Sequence, residues 1–124
     1  MDKSTASELI EFILTSIVLI KRRFKGINSG DDFLHTDDGL DKLDAISMRL
    51  LAIGEALKNI DKRERDFLLK VADKTYWSMI IKTREILTHH YVDIDSETVY
   101  DICDTKLEEL NQNILKLQKN LQEG

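Results

Sequence analysis

Proline is absent from this sequence, and only five glycines interrupt its 124 residues. Helices therefore meet few stops beyond Gly, Asn and Asp, and the abundance of Leu, Ile, Lys, Glu and Asp predicts helix almost throughout. The single cysteine, Cys103, cannot form an internal disulfide, which points to a reducing, intracellular setting. A membrane-length apolar run is missing: the stretch from Ile13 to Ile20 falls well short of the roughly 20 residues that a bilayer span takes. Glu8 and Glu11 precede that stretch and its basic cluster follows it, the reverse of a signal peptide. The expectation is a cytoplasmic, soluble protein with no membrane partner. Basic excess is missing as well. A net charge of −5 gives no general attraction for nucleic acid, and DNA is not an expected partner.

What is present is charge in clusters. Lys21, Arg22, Arg23 and Lys25 form one basic group; Lys62, Arg63, Arg65, Lys70, Lys74 and Lys82 form a looser one. Acid concentrates from Asp31 to Asp44 and from Asp93 to Glu109. Taken alone, each basic group reads as a solvated helix face.

No repeat, linker or low-complexity segment divides the chain, so residues 1–124 are expected to form one domain. The first helix is predicted over 7–25, opened by a capping box from Thr5 to Glu8 and closed by Gly26 and Asn28-Ser29-Gly30. A polar loop follows, with Phe33 and Leu34 as anchors. Leu43, Ile46, Leu50, Ile53, Leu57 and Ile60 recur every three or four residues and line one face of a second helix over 40–60. Asp61 to Glu64 is expected to cap a short third helix through Ala72. A fourth helix starts near Thr75. Asp95-Ser96 caps a last helix whose stripe is Val99, Ile102, Leu107, Leu110, Ile114, Leu117 and Leu121. The expected fold is all-α, an antiparallel four- to five-helix bundle.

The chemistry concentrates in Lys82 to Asp95, KTREILTHHYVDID. At about 100° per residue, Tyr76, Ile80, Leu87 and Tyr91 share one narrow arc of the fourth helix. Met79, Ile86 and His90 border it on one side; Arg84 borders it on the other, near Trp77, Ile81 and Thr88. Lys82 and Glu85 lie opposite. A guanidinium at the edge of an apolar face must be paired or must line a site. Snorkelling past Trp77, or pairing with Glu55 of the second helix, would make Arg84 purely structural. His89 lies about 140° from Arg84 on a regular helix. For the two to share a site, the helix must loosen before His89 or a second chain must bring them together. His90, on the apolar side, reads as a packed histidine.

Arg84-Glu85-Ile86-Leu87-Thr88-His89-His90-Tyr91 has the form R-x-x-x-x-H-x-Y, which resembles the signature of HEPN-domain ribonucleases, in particular the HepT-like toxins. Trp77 upstream and Val92-Asp93-Ile94-Asp95 with Val99 downstream agree with it. Leu51 to Lys58 resembles the second-helix segment of that family, which commonly reads I-G-E-A. The resemblance spans roughly residues 40–110. It implies a homodimeric helical bundle with a composite, metal-independent ribonuclease site at the dimer cleft. It also implies a minimal nucleotidyltransferase antitoxin as partner, which silences the toxin by attaching AMP to the motif tyrosine, here Tyr91.

The residue types suit that chemistry. RNA carries its own nucleophile, the 2′-hydroxyl. His89 can move the proton near neutral pH, and Arg84 can clamp the phosphate and stabilise the charge that develops on it. Lys82, Glu85, Thr88 and His90 are candidate lining residues. No metal and no cofactor is expected. The sequence departs from the family pattern at Glu85, where asparagine is usual; a carboxylate beside a scissile phosphate repels it unless it points away or pairs with Lys82 or an arginine. The departure favours an alternative, a non-catalytic dimeric subunit that binds a nucleotidyltransferase. A metal site of His89, His90, Asp93 and Asp95 is a weaker reading, since adjacent histidines diverge on a helix and His35 is far along the chain. A structural bundle without activity is weaker still, because apolar stripes such as that of the last helix are usually just core.

Overall fold

A computed structural model describes residues 3–64, 66–89 and 95–123, apart from the side chains of residues 3, 4, 86, 88 and 89. Helix α1 spans Lys3–Phe24, α2 Asp37–Arg63, α3 Lys74–His89, α4 Ser96–Asp101 and α5 Leu107–Glu123. A π-helical segment, Ile102–Lys106, joins α4 to α5 without a break, and short 3-10 turns lie at Gly30–Phe33 and Leu68–Lys70. The expected all-α bundle is what forms, and no strand occurs among the described residues. Helix α1 packs on α2 and α5, and α3 packs on α2. Lys21 near the end of α1 meets Glu108 near the start of α5, the register of an antiparallel pair.

The core follows the periodicity. Ile10, Ile13, Ile17 and Ile20 of α1 are fully buried, as are Ile46, Leu57 and Ile60 of α2. Every residue of the expected second-helix stripe is buried. Phe33 is sealed against the core beside Phe24, with ring centroids 6.4 Å apart. No helix among the described residues is long and apolar enough to cross a membrane.

Several local expectations give way to packing. The capping box is not a cap: α1 is already helical at Lys3, and Thr5 and Glu8 lie inside it. Ala6 is buried, so the contact of the first turn with the bundle outweighs the local start signal. Leu34 does not anchor its loop; it is half exposed while Phe33 does the sealing. Helix α2 begins at Asp37, with the Thr36 hydroxyl accepting from the Gly39 amide at 2.9 Å. It runs on to Arg63, so the expected third helix does not form. Asp61 to Arg63 are the end of α2, and the chain then turns through Leu68–Lys70. Buried Leu68 fixes that connection, its carbonyl accepting from Trp77 Nε1 at 2.8 Å. At the far end of α1, Gly26 takes φ +83°, the left-handed stop expected of it.

The last stripe also shifts. Cys103 is buried and Ile102 only partly so, because the wider π turn rotates the register between Val99 and Leu107. Asp95 caps α4 as expected, accepting from the Glu97 amide at 3.0 Å and from the Thr98 hydroxyl at 2.8 Å.

Candidate active site on helix α3

Helix α3 starts at a sharp cap, the Tyr76 amide donating to Asp73 Oδ1 at 2.9 Å. Its buried side is set by Trp77 and Leu87, with Ile80, Ile81 and Arg84 half buried between them. Met79, expected to border the apolar face, is exposed. The face is thus turned from Tyr76 toward Trp77, and Arg84 lies well within it instead of at its edge.

Helix α2 makes room for that arginine. A Cβ on Gly54 would sit 2.8 Å from the Arg84 Cβ, closer than two carbons can approach. The next residue, Glu55, places Oε2 at 3.2 Å from Arg84 Nε. The contact is one of charge and not an aligned hydrogen bond. Ile53, Ala56 and Leu57 around them are buried, which fixes this stretch of α2 in the core. Of the two structural alternatives for Arg84, pairing with Glu55 is therefore the one observed. It does not account for the arrangement energetically. A partly exposed ion pair contributes about 0–1 kcal/mol. Glu55 is more than half exposed, so the pair adds little to stability.

Glu85 is exposed, as is Lys82, and lies about 100° around the helix from Arg84. The carboxylate that departs from the motif points away from the Glu55–Arg84 contact. Helix α3 continues unbroken to His89, so the backbone does not loosen between Arg84 and His89. The side chains of Thr88 and His89 lie outside the description, and His90 and Tyr91 lie outside the described residues, as do Asp93 and the rest of the segment before Asp95. Among the described residues no cluster of His, Cys, Asp and Glu could hold a metal ion. Asp95, one of the four residues of the metal reading, has both carboxylate oxygens engaged in the α4 cap.

Two residues acquire importance that the motif alone did not give them: Gly54 and Glu55. The signal was a glycine inside an otherwise continuous helical stripe, between Ile53 and Leu57, which asks for a close neighbour.

A helical bundle that seats an arginine beneath α2, followed on one continuous helix by histidine at the fifth position, defines the class of HEPN-like domains. The family model described as Ribonuclease HepT-like matches residues 13–117, and the chain belongs to that family. No curated protein and no solved structure matches it.

Proposed function

We propose that this protein is a metal-independent endoribonuclease of the toxin type, acting as a homodimer. The observation that carries the proposal is the unbroken course of α3 to His89. With Arg84 held against α2, His89 leaves the same helix about 140° away. A two-fold dimer resolves this by setting Arg84 of one chain beside His89 of the other, since residues near the axis meet their copies. Membership of the HepT-like ribonucleases supports the activity, whereas Glu85, one turn before His89 on the same face of α3, is the feature that favours the partner-binding alternative.

In this reading the 2′-oxygen of RNA attacks the adjacent phosphorus and the 5′-oxygen leaves. His89 takes or returns the proton, and Arg84 stabilises the charge on the phosphorane. A two-fold dimer carries two such pairs, each an arginine of one chain with the histidine of the other and each a complete site. The products are a 2′,3′-cyclic phosphate and a 5′-hydroxyl. The partner is a minimal nucleotidyltransferase that transfers AMP from ATP to the Tyr91 hydroxyl, releasing pyrophosphate. A bulky anion at Tyr91, two residues beyond His89, would fill the cleft and repel RNA.

The test is growth and RNA integrity in cells expressing the wild type or His89→Ala without a partner, at matched levels. Arrest with RNA cleavage in the wild type alone is expected. Intact RNA and healthy cells in both would refute the nuclease and favour the non-catalytic, partner-binding subunit. Purified protein should cleave RNA in EDTA.

A further inference from the structure

Glu55 is spent on a contact that does little for stability, yet the chain is shaped around it. Two consecutive residues of α2 act on one neighbour, and the residues flanking them hold the helix in place. Ile53 and Ala56 are buried and hold the helix in the core, Gly54 admits the Arg84 Cβ, and Glu55 meets the guanidinium from the solvent side. The close approach of α2 at Gly54 sets where the arginine leaves α3, and the Glu55 carboxylate draws its Nε toward α2. A side chain whose charged end is already drawn to a neighbouring carboxylate samples fewer rotamers before any substrate arrives, the kind of preorganisation that favours a transition state over a ground state.

We infer that Glu55 is a positioning residue for Arg84, holding the guanidinium in the orientation in which it receives the scissile phosphate. The inference rests on the nuclease reading given above. Glu55 does not touch the reacting atoms; it acts through Arg84. The 3.2 Å approach is a charge contact, so a neutral amide of the same shape should not replace it. Shortening the side chain while keeping its charge should replace it in part. Glu55 is largely exposed, so neither change should disturb the core.

The experiment measures RNA cleavage by the purified full chain for wild type, Glu55→Gln, Glu55→Asp, Arg84→Lys and the double variant Glu55→Gln/Arg84→Lys. Circular dichroism and gel filtration verify the fold and the oligomeric state of each. Glu55→Gln should lower kcat about tenfold or more while KM moves less than about threefold, and Glu55→Asp should recover part of the loss. In the Arg84→Lys background Glu55→Gln should change kcat less than about twofold, because its effect passes through the arginine. Wild-type kcat in Glu55→Gln, or a loss that multiplies with that of Arg84→Lys, would overturn the inference and leave the nuclease reading standing. Faster cleavage by Glu55→Gln would also overturn it, making Glu55 a lock. A wild type that cleaves no RNA would remove the nuclease reading and this inference with it.

Discussion

Gly54 of α2 and Arg84 of α3 are in contact, with 2.8 Å between the Arg84 Cβ and the place where a Cβ on Gly54 would stand. The seat of the candidate catalytic arginine depends on that missing methyl group.

Gly54→Ala should therefore destabilise the protein even though alanine is the better helix former. Overpacking costs about 1–3 kcal/mol, and the propensity gain returns about 1 kcal/mol. A net loss of about 1 kcal/mol in urea unfolding is expected, with a larger loss of RNA cleavage because Arg84 moves with α3. A more stable Gly54→Ala protein would mean that the two helices are not held at this distance.

Asp95 follows the segment that bears Tyr91 and starts α4. The Thr98 hydroxyl and the Glu97 and Thr98 amides hold its carboxyl below the usual range. A lowered folded pKa contributes stability above the unfolded value and loses it as pH falls through the folded one. The contribution is small, since the group is exposed. Asp95→Ala should cost about 1 kcal/mol at neutral pH. Asp95→Asn should keep the cap and abolish this part of the acid dependence, read from unfolding midpoints between neutral pH and about pH 3. An acid profile unchanged in Asp95→Asn would contradict the assignment.

Cys103 sits within the π segment, and burial pushes its thiol up to about 12. It should stay protonated at neutral pH and resist iodoacetamide in the folded protein, reacting fully once urea unfolds the chain. Rapid alkylation of the native protein, read by mass spectrometry, would show that the helix opens at this point.

Much of this architecture was legible in the sequence, because the residues that build it repeat at helical spacing. Leu43 to Ile60 pointed to α2 and its buried face, and Asp95-Ser96 marked the start of α4. The errors came where a local signal met a tertiary contact. Thr5 to Glu8 had the form of a cap, but Ala6 packs and the helix runs past it. Asp61 to Glu64 looked like a start and is the end of α2. The π turn at Ile102–Lys106 has no periodic signature, so Cys103 went unnoticed as core. On α3 the wheel placed Arg84 at an edge because it weighed only α3. What draws the arginine inward is a glycine and a glutamate on another helix, which no pattern within α3 contains.

The composite site is tested most directly by mixing two inactive variants. Arg84→Ala and His89→Ala proteins are purified, unfolded together in equal amounts, refolded and assayed on RNA in EDTA. If Arg84 of one chain works with His89 of the other, half of the dimers are mixed and each mixed dimer carries one intact site of two. The mixture should then regain about a quarter of wild-type activity, while each variant alone stays inactive. No activity in the mixture, with mixed dimers demonstrated and the wild type active, would place both residues in a site within one chain and contradict the account.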